Sequence, residues 1–225
     1  MKKQKMIVQL ATLTLVGMST IGLLVVYYFQ DRTIFELFRG KIPIWQQLGI
    51  GALAGLASGW CAQKIVDQPF MEEVNVRYSR MIGELHLTWP QIIYVSLSAG
   101  IGEEILFRGA LQPFLGILIT AVVFVAIHGY LNPKDWKISL YGLFMTVVIC
   151  ALGWFTKEYG ILIAIVAHTF IDLYLLTVMK RREDDEPEIV DDAVWTWSDD
   201  EDSTEMDEPI EEDSEDSDKR FEENL

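Results

Sequence analysis

Six side chains in this 225-residue chain carry charge or a titratable ring into stretches that are otherwise apolar. Glu103, Glu104 and Arg108 stand in "GEEILFRGALQPF", between "IIYVSLSAGI" and "LGILITAVVFVAI". His128 stands in "FVAIHGY", and His168 and Asp172 stand in "AIVAHTFID". A charged side chain at the bilayer centre costs about 2.5–3.5 kcal/mol on insertion scales, so the first three must face a protein interior or a wet cavity. Polar insertions on three neighbouring apolar segments predict one shared polar cavity.

Helix geometry divides the work among them. Glu104 and Arg108 are four apart, share a face and can pair. Glu103 lies roughly 100° round the helix and has no partner four residues on, where Phe107 stands. An unpaired carboxylate in a low-dielectric cavity is the kind of group that serves as a general base near neutrality. The pair reads as scaffolding and the lone glutamate as chemistry. His168 and Asp172 sit one turn apart on one face. Together these groups permit hydrolysis: Glu103 takes a proton from a water that His128 positions, while His168 with Asp172 stabilises a developing oxyanion. Glu103, His128 and His168, with Asp172 as a further donor, suit a divalent metal such as zinc equally well, so zinc and no cofactor at all both stay open. Ser96 and Ser98 precede Glu103, but no motif activates either, and the helix-borne HExxH pattern is absent. His86, in "ELHLTW", reads as a surface residue.

The elements that must position these groups are membrane helices. Residues 6–29 hold no charge and follow Lys2, Lys3 and Lys5. Such a run is long enough to span a bilayer, too long for a cleavable signal, and its lysines place the N-terminus in the cytoplasm. Residues 48–66 form a weaker candidate in which Gly51, Gly55 and Gly59 fall on one helix face, suited to close packing in a bundle. Residues 67–87 are polar, amphipathic and expected at the surface. Four apolar helices are predicted over 90–114, 115–130, 136–155 and 161–179, with turn chemistry at Pro113–Gly116, Asn132–Pro133 and Lys157–Gly160. Six crossings put both termini on one side, and Lys180, Arg181 and Arg182 agree with a cytoplasmic C-terminus.

The net charge of −15 conceals an uneven chain. Residues 183–225 hold 22 Asp and Glu against Lys219 and Arg220, so this tail carries −20 and residues 1–182 carry +5. The tail is expected to be disordered, with "VWTW" at 194–197 as its one apolar interruption. Three regions follow: 1–88, a membrane anchor with accessory helices; 89–182, the core that bears the polar groups; and 183–225, the acidic tail. Cys61 and Cys150 lie in apolar stretches and read as buried inert thiols, with no thiolate zinc spacing.

In order along the chain, "EEILFR" at Glu103–Arg108 fits EExxxR, "FVAIH" at Phe124–His128 fits FxxxH, and "HTFID" at His168–Asp172 fits HxxxD/N. On successive apolar segments these resemble the CPBP (CAAX protease and bacteriocin-processing, or Abi) family of intramembrane endopeptidases, which includes the type II CAAX prenyl endopeptidases. The resemblance covers 89–179. It implies an all-α polytopic membrane helix bundle, with a four-helix catalytic core round a conical cavity and N-terminal accessory helices. It also implies that Glu103 activates water, that Glu104 and Arg108 support it, that His128 shares the water or metal, and that His168 and Asp172 form the oxyanion or metal side. An ionised carboxylate cannot donate to an oxyanion as an amide can, so Asp172 must be protonated, orient His168 or bind metal. The implied partners are membrane lipid and a membrane-associated peptide or protein, with no nucleic acid, and an N-terminus ready for membrane insertion without a transit peptide fits a bacterial plasma membrane. The alternatives are a non-enzymatic scaffold or bacteriocin-immunity-type protein using the same cavity, and a proton-coupled carrier. The carrier is disfavoured by the lack of inverted repeats.

Overall fold

The computed structural model describes residues 2–185, and among these it is all helix and turn. The expected acidic tail and its "VWTW" segment lie outside the described residues from 186 on. In chain order the helices are α1 (Lys2–Leu13), α2 (Ser19–Gln30), α3 (Ile34–Phe38), α4 (Ile44–Val66), α5 (Glu72–Gly83), α6 (Trp89–Glu104), α7 (Gln112–Ile127), α8 (Trp136–Tyr159) and α9 (Ile161–Asp185). Wide π turns at Thr14–Met18 and Ile105–Leu111 join α1 to α2 and α6 to α7.

Four stretches are long and apolar enough to cross a membrane: Lys3–Gln30, Trp89–Ile127, Trp136–Tyr159 and Ile161–Arg182. Large apolar side chains such as Leu53, Leu118, Leu143 and Val147 are exposed, as a lipid-facing surface requires. This is a polytopic all-α bundle, but it differs from the expected arrangement in two ways. The helices expected at 90–114 and 115–130 form one 39-residue stretch. It is broken at Gly116, whose φ of 78° and ψ of 169° only glycine adopts readily. Beyond that break, residues 117–127 cover roughly 16 Å at 1.5 Å per residue, about half a bilayer. α4 is a full helix of 23 residues, yet it is not among the four stretches, because its glycines, glutamines and Lys64 dilute its hydropathy.

α4 earns its place by packing instead. Gly51, Gly55 and Gly59 are buried along one face against α9. A Cβ at Gly51 would lie 2.8 Å from the Ile163 carbonyl oxygen, and one at Gly59 would lie 3.1 Å from the Tyr174 Cβ. At Gly55 it would collide with the Ala167 carbonyl and sit 2.7 Å from the Phe170 Cβ. On the other side of the same helix, a methyl at Gly49 meets nothing within 4 Å. Gly55→Val should therefore force α4 off α9 and destabilise the protein by about 1–3 kcal/mol. Gly49→Ala should be neutral or stabilising by up to about 1 kcal/mol. Thermal unfolding in detergent separates the two, and equal midpoints would refute this packing account.

The polar segment 67–87 contains α5 and is fixed by ion pairs to the loop after α7, to the start of α8 and to the end of α9. Arg77 pairs with Asp135 at 2.9 Å, Lys137 with Glu73 at 2.9 Å, and Arg182 with Asp67 at 2.6 Å. Lys3 pairs with Glu84 at 2.8 Å, so the N-terminus lies at this same end of the bundle. Partial burial pushes the Asp67 carboxyl up, but hydrogen bonds from Arg182 and Gln63 outweigh it and hold the group below its ordinary 3.8. The hydrogen bond from Arg77 likewise lowers Asp135. Both groups stabilise the fold above the ordinary carboxylate value, and that contribution is lost as pH falls through the lowered values. Amide exchange in α5 should accelerate well below pH 3.8, ahead of exchange in α8. Unchanged α5 protection there would contradict the assignment.

Candidate active site

The site is built where α6, the π turn behind it, the end of α7 and the middle of α9 converge. α6 starts cleanly: Pro90 occupies its first turn, where a missing N–H costs nothing, and the Gln91 side chain accepts from the Thr88 N–H at 2.9 Å. Its last two residues are Glu103 and Glu104. There the helix widens into the π turn that carries Arg108.

Glu104 is fully buried, and Arg108 is only 2 % exposed. One carboxylate oxygen of Glu104 lies 2.9 Å from Arg108 Nε, and the other lies 2.8 Å from His168 Nδ1. Arg108 also stacks its guanidinium 4.6 Å over the Phe124 ring. Glu104 thus joins three elements in a sealed trio. A bare carboxylate only accepts, so His168 Nδ1 carries the donated proton. The other nitrogen, Nε2, then points to the Asp172 carboxylate, 3.6 Å away.

Glu103 occupies the more open half. Its side chain is 12 % exposed and its carboxylate lies 3.4 Å from Nε2 of His128, which is 29 % exposed. His128 Nδ1 lies 2.7 Å from the Phe124 carbonyl oxygen, an acceptor, so this nitrogen is the donor. The expectation that Glu103 has no partner is therefore corrected. It lacks one on its own helix, but the chain returning from Gly116 delivers an imidazole to it. Both imidazoles share one logic, with Nδ1 pinned as donor and Nε2 presented to a carboxylate beyond hydrogen-bond length. Each Nε2 is left to accept or give a proton.

All six predicted residues enter this one region, in two groups: Glu103 with His128, and Glu104 with Arg108, His168 and Asp172. His86 lies apart from it, exposed on the loop after α5. Cys61 and Cys150 are half-buried rather than fully buried. Ser96 and Ser98 are fully buried, and no hydrogen-bond partner reaches either hydroxyl among the described residues. No group of three His, Cys, Asp or Glu side chains is arranged to hold a metal ion among the described residues. His168 Nδ1, being occupied by Glu104, is closed to such a role.

Two aromatic residues complete the site. Phe124 stacks on His128 with centroids 4.4 Å apart and meets the edge of His168 at 5.7 Å. It thereby touches both imidazoles and Arg108. It is the first residue of the FxxxH run, and that spacing was its only trace in the sequence. Tyr130 stacks beyond His128 at 6.0 Å. Burial first, and the Asp172 carboxylate second, push its phenol up to about 12, so it remains an O–H donor at neutral pH.

Fold and site together define a polytopic all-α membrane protein in which carboxylates and imidazoles from separate helices meet. The chain belongs to the type II CAAX prenyl endopeptidase Rce1-like family, whose model matches residues 85–174. It is 33 % identical over 155 residues to the uncharacterized protein YpbD of Bacillus subtilis, covering 65 % of this chain and 75 % of that one. No solved structure matches. The family is one of CAAX-protease-like intramembrane endopeptidases, and this chain is an integral membrane member of it.

Proposed function

We propose that the protein hydrolyses a peptide bond of a membrane-associated peptide or protein, using a water activated by Glu103. The observation that carries this reading is the placement of the Glu103 carboxylate 3.4 Å from His128 Nε2, in the more open half of the site. A water seated against both groups from the open side can give one proton to Glu103 while the imidazole holds it in line. The tetrahedral oxyanion then forms toward His168, whose Nε2–H, when the ring is protonated, donates to it. Asp172 orients that imidazole and balances its charge. Glu104 and Arg108 fix His168 and take no part in bond-making. Collapse of the intermediate returns the proton from Glu103 to the leaving amine.

Residues 1–88 serve as anchor and accessory helices, 89–182 as the catalytic core and 183–225 as an appended acidic tail. Lys2, Lys3 and Lys5 favour a cytoplasmic N-terminus in a bacterial plasma membrane. The Lys3–Glu84 pair then sets the α5 end, and with it the open half of the site, toward the cytoplasm. The test is peptide-terminus profiling of membranes that contain either wild-type protein or Glu103→Gln. New termini that require Glu103 support an endopeptidase. Identical profiles, with both proteins inserted, would leave the scaffold reading in its place.

A further inference from the structure

Arg108 has a second face. Its Nε serves Glu104, but its two terminal nitrogens are buried and have no hydrogen-bond partner among the described residues. Arg108 lines a cavity of about 570 Å³, on the side of the bundle away from the Lys3–Glu84 end. Arg32, Arg39, Lys41 and Lys157 line the same cavity, and no Asp or Glu lines it among the described residues. The Thr156 hydroxyl, also lining it, is a further buried group without a partner. α9 begins at Ile161 on its wall, so the positive end of a 25-residue helix adds to the field.

Neither Glu36 nor Glu158 lines the cavity. Glu36 accepts from the Thr33 N–H at 2.7 Å and from its hydroxyl at 2.9 Å, capping α3. Glu158 lies 3.7 Å from Lys41 out at the exposed rim. What remains is a concave site of ligand size with five cationic side chains, one of them 2 % exposed with free donors. A buried guanidinium with unused N–H groups is a strong unmet demand for oxyanion acceptors.

We propose that this cavity binds a phosphate group, with the Arg108 terminal nitrogens and the Thr156 hydroxyl at its base and Arg39, Lys41 and Lys157 around its mouth. An anionic lipid headgroup and a free phosphate offer the same chemistry. Because Arg108 also pairs with Glu104, a bound phosphate would bear on the trio that holds His168. The binding itself does not depend on the peptidase reading.

The experiment uses the full chain purified in a maltoside detergent. Thermal midpoint and native mass are followed with inorganic phosphate alone, with phosphatidylglycerol, and with zwitterionic phosphatidylcholine. The expected result is one phosphate-bearing ligand per chain and a raised midpoint. In Arg39→Gln/Lys157→Gln, whose changed side chains are exposed, affinity should fall about tenfold or more. Stabilisation by inorganic phosphate identifies a soluble oxyanion, and stabilisation by phosphatidylglycerol alone identifies a headgroup. The proposal is overturned if neither binds beyond the phosphatidylcholine level. It is also overturned if the double variant, folded as judged by circular dichroism, binds as well as wild type.

Discussion

Glu103→Gln should cut peptide hydrolysis by about 10²–10⁴-fold while leaving the protein inserted and folded. Glutamine keeps the shape and volume of the side chain but cannot accept the proton of water. The structure explains why the fold should tolerate it: Glu103 sits at the open half of the site, and its Oε2 has no hydrogen-bond partner beyond the His128 approach. No buried cation is stranded by the change. Single-turnover cleavage of a terminus found by profiling, measured beside the thermal midpoint, gives both readouts. A variant that retains near wild-type turnover would remove Glu103 from the proton-transfer step. Chelator treatment of the wild type should leave cleavage intact, and loss restored by zinc would instead move the water onto a metal.

Glu104→Gln should behave in the opposite way, damaging the fold first. The native carboxylate is fully buried, forms an ion pair with Arg108 through one oxygen and takes a hydrogen bond from His168 on the other. Breaking a buried ion pair from one side leaves an uncompensated charge, which costs about 3–5 kcal/mol. Activity falls as well, since His168 loses the acceptor that fixes its ring. The double change Glu104→Gln/Arg108→Met removes the stranded charge and should recover much of the stability with none of the activity. Thermal midpoints of the two variants, each beside wild type, decide the matter. A single variant as stable as wild type would show that the trio is not sealed as described.

Much of this site was legible because charge in an apolar run has few physical excuses. The i, i+4 spacing of Glu104 and Arg108 predicted their pair, and His168 and Asp172 were placed one turn apart by the same arithmetic. That Gly51, Gly55 and Gly59 form a close-packing face was equally readable, but that α9 fills it was not. What stayed hidden depends on contacts distant in sequence. Nothing in the order of residues says that His168 reaches Glu104, 64 positions away, or that His128 folds back to Glu103. The π turn at Ile105–Leu111 was invisible too, because its residues are ordinary helix formers. The half-length final segment of α7 depended on the backbone sign of Gly116, which composition does not reveal.

The two halves of the site also differ in what they can exchange with their surroundings. Hydrogens at the mouth, between residues 103 and 128, can swap readily with bulk solvent. The hydrogen held between residues 104 and 168 is buried and exchanges far more slowly. In heavy water the outer pair should become deuterated within the dead time of mixing, whereas the inner hydrogen should persist until the helices part. A retention clock of that kind would gauge how seldom this bundle breathes.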